Sequence, residues 1–86
     1  MDDSPLAFPG HHPVTVMGRD TAEFRSHTYA VVLAQVGPLE PALIAERSSR
    51  DGTYLSITYT VPAESREQLD GLYRALHATG LVLFAL

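Results

Sequence analysis

The chain has 86 residues and a formal net charge of −4, from six basic and ten acidic side chains. A chain of this length is expected to fold as one small domain. The absence of cysteine excludes disulfides and thiolate metal sites, and it fits a reducing, cytoplasmic location. No run of about 18 apolar residues occurs, so no membrane span is predicted. The negative charge disfavours binding to nucleic-acid phosphates.

The first segment of the chain predicts an irregular leader followed by a strand. Residues 1–12 are rich in proline, glycine and histidine, a composition typical of irregular structure. A single domain is therefore expected over residues 13–86. Its first strand is predicted at residues 13–17, where Val14 and Val16 alternate with other residues.

A helix is predicted next, over residues 21–36. Gly18 is expected to permit the turn out of the first strand. Asp20 is expected to cap the helix, because Glu23 completes an Asp-x-x-Glu capping box. Gly37 is expected to end it.

Two strands joined by a hairpin follow this helix. The second strand is predicted at residues 42–48, and Asp51-Gly52 accepts the positive φ angles that a tight turn needs. The third strand, residues 54–61, alternates strictly and is expected to end at Pro62. Its apolar face carries Leu55, Ile57, Tyr59 and Val61.

The last elements are a helix and a strand. Ser65 and Gln68 form a Ser-x-x-Gln capping box at the start of a helix over residues 66–78. Its leucines recur at helical spacing, and Gly80 is expected to cap its end in a left-handed conformation. Residues 81–86 are predicted to form a fourth strand, apolar enough to lie inside the sheet.

The order of elements is therefore βαββαβ, which predicts an α+β, ferredoxin-like fold. Two right-handed split βαβ units give a four-stranded antiparallel sheet of spatial order 4-1-3-2. Both helices are expected to cover one face of this sheet. The other face is left uncovered.

Several short motifs occur along the chain: Phe8-Pro9-Gly10, Val16-Met17-Gly18, Ser48-Ser49-Arg50 before Tyr54 and Ser56, Ala63-Glu64-Ser65 and Leu72-Tyr73. Together they resemble those of the YbeD-like family of small uncharacterised bacterial proteins. This chain has Arg47 where the family usually has proline. The resemblance implies a ferredoxin-like fold similar to ACT regulatory domains, self-association, and a small effector near the turn after the first strand. Some members are linked to lipoate metabolism by gene neighbourhood.

Two segments are candidate anion sites. In the hairpin, Ser48, Ser49 and Arg50 place backbone N–H groups beside guanidinium groups. A solvated hairpin tip explains the same residues. Tyr54, which begins the third strand, is included in this site, and it is the aromatic residue on the polar face of that strand on which an RNA base could stack.

The second candidate site is the turn between the first strand and the first helix. Met17, Gly18, Arg19 and Asp20 lie there, and a helix N-terminus with a nearby arginine attracts anions. The alternative interpretation is a glycine needed for backbone geometry and an aspartate needed as a cap.

No catalytic set, metal site or cofactor motif is recognised. His11 and His12 are adjacent in the leader, whereas His27 and His77 lie on different helices, and all four are interpreted as structural or solvent-exposed.

The leading hypothesis is a non-enzymatic, ACT-like regulatory or binding module. It would act through self-association as a homodimer and through a small anionic effector or a protein partner. The first alternative is a small enzyme or accessory subunit that holds an anionic substrate with Arg19 or Arg50. A further alternative is single-stranded RNA binding through Tyr54, which the net charge of −4 disfavours.

Overall fold

The computed structural model describes residues 7–86, which form a four-stranded antiparallel sheet and two α-helices. The elements are β1 (Gly10–Arg19), α1 (Ala22–Val36), β2 (Ile44–Ser48), β3 (Tyr54–Ala63), α2 (Arg66–Ala78) and β4 (Phe84–Ala85), with a short 3-10 turn at Pro41–Leu43 before β2. The sheet order is β2-β3-β1-β4. The predicted ferredoxin-like α+β fold is confirmed.

The core lies between the helices and one face of the sheet. The alternation of β3 and the leucine spacing of α2 both point their apolar residues into it, as predicted. The buried side chains include Val14, Val16, Phe24, Val32, Leu55, Ile57, Tyr59, Val61, Leu69, Leu72 and Leu76. Burial of this apolar surface is the main force that holds the helices on the sheet.

Strand β1 is longer than the sequence predicts. It begins at Gly10 instead of Pro13 and pairs with β3 along its whole length, so that His12 faces Val61. The ring of His12 is buried, and its Nε2 lies 2.9 Å from the carbonyl oxygen of Ala7. Residues 1–6 of the predicted irregular leader lie outside the described part of the chain, and the division into leader and domain stays a prediction.

Strand β3 does not end at Pro62, because it continues to Ala63. Its pairing with β2 stops at Tyr59, whereas its pairing with β1 continues to Ala63. Pro62 therefore lies where β3 has a neighbour on one side only, a position at which a missing N–H donor is tolerated.

The N-cap of α1 is Thr21, one residue after the predicted cap. The Oγ1 atom of Thr21 accepts a hydrogen bond from the backbone N–H of Phe24 at 3.0 Å. The carboxylate of Asp20 instead accepts from Nη1 of Arg25 at 2.8 Å. The prediction was wrong because an arginine one turn into the helix competes for that carboxylate.

Helix α2 matches its predicted bounds and cap. The Oγ atom of Ser65 accepts from the backbone N–H of Gln68 at 3.1 Å, and Gln68 Oε1 accepts from that of Glu64 at 2.7 Å. After the helix, Gly80 has a φ of 76°, as predicted for a left-handed cap.

The fourth strand is short and lies at the edge of the sheet, not inside it. It pairs with Val16 and Met17 of β1 over two residues. Leu83, Phe84 and Leu86 are more than half exposed, at 58%, 51% and 75%. Phe84 is exposed because it pairs with Met17 and so lies on the face of the sheet that the helices leave uncovered. In the described part of the chain, no helix has both the length and the apolar character needed to cross a membrane.

Candidate functional site

The face of the sheet opposite the helices carries a cavity at one end. We call this face the open face; it presents the residues of β1 and β3 that alternate with the buried ones. A cavity of about 300 Å³ lies where β1, β2 and β3 meet the hairpin. Its lining residues are Met17, Arg47, Ser48, Ser49, Tyr54 and Ser56.

The two turns predicted as separate anion sites lie side by side at this end of the sheet. Arg19 is paired with Tyr54 across the β1–β3 ladder, and its guanidinium carbon lies 5.9 Å from the centre of the Tyr54 ring. The backbone N–H of Asp20 donates to the carbonyl oxygen of Thr53 at 3.0 Å. One end of the open face therefore receives residues from both turns.

The hairpin is held by its own side chains. Asp51 Oδ1 accepts hydrogen bonds from Ser49 Oγ and from the backbone N–H of Thr53, each at 3.0 Å. These bonds hold the pKa of the Asp51 carboxyl below its usual value, with the backbone donor of Thr53 as the largest cause. Only Gly52 in this turn has a positive φ, of 78°, so Asp51 stabilises the turn through its side chain and not through a left-handed backbone.

This internal bonding limits the nest predicted at Ser49. Its backbone N–H donates to the carbonyl oxygen of Tyr54 at 2.9 Å, and its Oγ accepts from the backbone N–H of Tyr54 at 3.0 Å. The donors of Ser49 are already used within the hairpin. The capacity of the site to hold an anion therefore rests on arginine side chains.

Arg47 lines the cavity and Arg19 lies beside it over the Tyr54 ring, and both residues are exposed. Within residues 7–86, the ion pairs shorter than 4 Å all involve Arg25, which bonds Asp20 and Glu46 on the helix side of the sheet. Asp20 is thus directed away from the open face, although it follows Arg19 directly. Within residues 7–86, neither Arg19 nor Arg47 forms an ion pair.

Gly18 has a structural role on the opposite side of β1. A Cβ atom at this position would lie 2.5 Å from the carbonyl oxygen of Leu81 and 2.5 Å from the ring of Phe24. Gly18 lies within β1, opposite Leu55, and not in a turn as predicted. Its lack of a side chain lets α1 and the segment before β4 approach the sheet closely.

Of the predicted site residues, Ser48, Ser49 and Tyr54 line the cavity, and Arg19 lies beside it over the Tyr54 ring. Gly18 and Asp20 contact the helix side, and Arg50 lies exposed at the hairpin tip. The cavity is also lined by Met17, which the sequence analysis placed in the second candidate site, and by Arg47 and Ser56, which it placed in neither site. Alternation along each strand places these three on one face, but their proximity depends on the register that pairs Met17 and Arg47 with Ser56.

The histidines do not join this site. His12 lies near the other end of β1, and His11, His27 and His77 are exposed. Among the described residues, no group of three or more histidine, aspartate or glutamate side chains is arranged to hold a metal ion.

The fold and the cavity define a small ferredoxin-like α+β protein with an arginine-flanked open sheet face. Residues 3–86 match the model of the family described as "Protein of unknown function (DUF493)", and the chain belongs to this family. It is 42% identical over 85 residues to a UPF0250 protein of Bordetella pertussis, covering 99% of this chain and 93% of that protein. It is also 35% identical over 85 residues to a UPF0250 protein of Nitrosomonas europaea, covering 99% and 98%. The resemblance to the YbeD-like family is confirmed.

Proposed function

We propose that the protein is a non-enzymatic binding module whose open face takes a small ligand with a carboxylate or phosphate group. The observation that carries this proposal is the pair of exposed guanidinium groups, Arg19 and Arg47, on either side of the Tyr54 ring. Guanidinium groups bind carboxylates and phosphates through paired, charge-assisted hydrogen bonds. The anionic group would lie between the two arginines.

The rest of the ligand would lie against the apolar part of the cavity. Met17 and the ring of Tyr54 supply apolar surface beside the arginines, whereas Ser56 supplies a hydroxyl group. An aliphatic carboxylic acid such as octanoate or lipoate combines the two chemistries. Both acids also follow from the link between family members and lipoate metabolism.

The lining of the cavity supports a binding role over a catalytic one. Its side chains are arginine, serine, tyrosine and methionine, and no histidine or carboxylate among the described residues lines it to act as a general base. The Ser49 hydroxyl donates to Asp51 and accepts from the backbone N–H of Tyr54, so it is engaged in holding the hairpin.

Titration with octanoate tests the proposal. We expect the ¹⁵N–¹H resonances of Met17, Tyr54 and Ser56 to shift as octanoate binds. Arg47→Gln and Arg19→Gln should each weaken binding about tenfold or more, because a hydrogen bond to a charged group contributes roughly 1.5–3 kcal/mol. Arg66→Gln is the matched control, since Arg66 is an exposed arginine on α2.

The proposal fails if octanoate, lipoate and inorganic phosphate all leave these resonances unmoved at millimolar concentration. It also fails if Arg66→Gln weakens binding as much as Arg47→Gln, because the effect would then reflect net charge alone. An octanoate-dependent chemical conversion would favour the alternative of a small enzyme or accessory subunit.

We further propose that the chain associates with itself, as the resemblance to ACT regulatory domains implies. The support is the exposed apolar surface of β4, formed by Leu83, Phe84 and Leu86, and the outer edge of β2, which has no neighbouring strand within residues 7–86. Sedimentation equilibrium should give a dimer mass, and Phe84→Ser should shift the protein toward the monomer. A monomer at all accessible concentrations would leave a separate protein partner as the remaining proposal.

RNA binding is a second candidate that one observation favours. Phe84 pairs with Met17 in the β1–β4 ladder and so joins Tyr54 on the open face, giving two aromatic side chains for base stacking. A fluorescent oligouridine titrated at low salt tests it. Binding that is lost in Phe84→Ser and in Tyr54→Ala would support this candidate, and absence of binding would remove it.

A further inference from the structure

A second cavity lies on the helix side of the sheet, between α1 and the edge strand β2. Its volume is about 480 Å³, and we call it the α1–β2 cleft. One wall is formed by successive turns of α1, and the other by the inward face of β2 and β3. The lining residues are Ala22, Arg25, Ser26, Tyr29, Ile44, Glu46, Ile57 and Tyr59.

The interior of the cleft is apolar. Ile44 and Tyr29 are half-buried along its walls, and Ile57 and Tyr59 form its floor. The phenol oxygen of Tyr59 lies 2.7 Å from Thr28 Oγ1, so its hydroxyl is used inside the core. The cleft therefore offers contact area to an apolar molecule, and its volume falls within the range of small-molecule sites, roughly 300–1,000 Å³.

The rim of the cleft is formed by Arg25 and Glu46, and a second carboxylate, that of Asp20, lies beside them. Arg25 donates through Nε to both carboxylate oxygens of Glu46, at 3.1 and 3.2 Å, and through Nη1 to Asp20 at 2.8 Å. Two carboxylates thus share one guanidinium group. The hydrogen bond with Glu46 is the largest cause that raises the pKa of Arg25, so the arginine stays charged and the three groups together keep one excess negative charge.

This arrangement distinguishes between incoming charges. A cation can pair with Glu46 while Arg25 keeps its shorter bond to Asp20, so that each of the two carboxylates then has a cation of its own. A carboxylate would have to displace Glu46 from Arg25 and would then lie near two like charges. The side chains of Glu46 and Arg25 are both 42% exposed, which leaves the pair open to exchange with a ligand.

From this geometry we infer that the α1–β2 cleft binds a small amphipathic amine. The apolar body lies between Tyr29 and Ile44, and the ammonium group pairs with Glu46 at the rim. The site is independent of the open face, because the sheet separates the two.

Heptylamine and heptanoate form a matched pair of probes, with the same chain length and opposite charge. In ¹⁵N–¹H titrations, heptylamine should shift the resonances of Ala22, Tyr29 and Ile44. The dissociation constant obtained from these shifts should be at least tenfold lower for heptylamine than for heptanoate. Glu46→Gln should remove this preference, whereas Glu40→Gln, which changes an exposed glutamate outside the cleft, should keep it.

Filling the cleft provides a second test. Ser26→Phe places a ring in the cleft and should abolish heptylamine binding. Ala34→Phe puts the same ring at an exposed position of α1 outside the lining and should bind as the unchanged protein does. A thermal melt shows whether each variant is folded. If Ser26→Phe does not fold, the loss of the preference for heptylamine in Glu46→Gln tests the inference instead.

Three results would overturn the inference. The first is equal or tighter binding of heptanoate at the cleft resonances. The second is heptylamine binding that shifts resonances elsewhere, and the third is no binding of heptylamine up to its solubility limit. The octanoate titration monitors the resonances of Met17, Tyr54 and Ser56 on the open face. A negative result for one of the two sites therefore leaves the result for the other site unaffected.

Discussion

The guanidinium carbon of Arg19 lies 5.9 Å from the centre of the Tyr54 ring, and the two residues face each other across the β1–β3 ladder. An arginine over an aromatic face is attracted by the ring quadrupole. The contact restricts a long and flexible side chain before any ligand arrives, which lowers the ordering cost of binding. Tyr54 thus positions Arg19 in the proposed site.

Substitution of Tyr54 should separate this positioning role from a direct contact. Tyr54→Leu should weaken octanoate binding about two- to five-fold, since an exposed cation–π contact contributes roughly 0.5–1 kcal/mol. Tyr54→Phe keeps the ring face and should bind as the unchanged protein does. Equal losses in both variants, measured by calorimetric titration, would assign the effect to the phenol hydroxyl instead.

Gly18 and Gly71 should respond in opposite directions to alanine. A Cβ at Gly18 would meet Leu81 and Phe24 at 2.5 Å, so Gly18→Ala should lower the free energy of unfolding by about 1–3 kcal/mol. A Cβ at Gly71 would have its nearest neighbour at 3.8 Å, inside helix α2. Gly71→Ala should therefore raise that free energy by about 0.5–1 kcal/mol.

Urea unfolding of the two variants measures both values. Gly71→Ala serves as the control for the chemical change itself, because each variant adds the same methyl group. A stable Gly18→Ala variant would show that the backbone at Leu81 moves freely away from β1.

Asp51 should make the stability of the hairpin depend on acid pH. The hydrogen bonds from Thr53 and Ser49 lower the pKa of Asp51 in the folded state below 3.8, so the ionised form is favoured by folding. Its contribution is present above this value and is lost as pH falls through the lower, folded-state pKa. The difference in free energy of unfolding between the unchanged protein and Asp51→Asn should be constant near neutral pH and shrink below about pH 4.

Chemical unfolding at a series of pH values measures this difference. It should persist at about 1 M salt, because local hydrogen bonds are screened less than distant charges. A difference that is already lost between neutral pH and about pH 5 would contradict the prediction.

The architecture follows from patterns that are local in the sequence. Alternation in β3, leucine spacing in α2 and the Ser65 cap each fix one element, and the rules for split βαβ units then determine the sheet order. The sequence predictions were wrong where a residue distant in the sequence determines the local structure. Pro62 remains in a strand because β1 extends to meet it, and Asp20 fails as a cap because Arg25 holds its carboxylate.

The site was predictable only in part for the same reason. Arg19 and Tyr54 are far apart in sequence, and their contact depends on the register between β1 and β3. Arg47 lies in the cavity because β2 pairs it with Ser56. The α1–β2 cleft had no sequence signal, since it is a gap between α1 and an edge strand.

The contact between Tyr59 and Thr28 is a buried polar pair in an apolar core. Thr28 Oγ1 donates to the carbonyl oxygen of Phe24 at 2.7 Å, so the hydroxyl of Tyr59, also at 2.7 Å, donates to Thr28. Tyr59→Phe removes this donor and should cost about 0.5–1.5 kcal/mol of the free energy of unfolding. Thr28→Val leaves the Tyr59 hydroxyl buried without its acceptor and should cost more, about 1–3 kcal/mol.

A double-mutant cycle isolates the pair. The double variant should cost less than the sum of the single variants, with a coupling of about 1 kcal/mol. Additive losses would show that the two side chains contribute through packing alone.

Alkaline pH should report on the same hydroxyl. Burial is the largest cause that raises the pKa of Tyr59 above 10.0, so the folded state keeps the proton that the unfolded chain loses. The contribution of the protonated Tyr59 to the free energy of unfolding is fully present below about pH 10 and is lost as pH rises through the folded-state pKa. Tyr59→Phe should make the free energy of unfolding fall less steeply above about pH 10. Part of this pH dependence should remain, because burial also raises the pKa of Tyr73. A slope unchanged in Tyr59→Phe, measured by urea unfolding, would contradict the assignment.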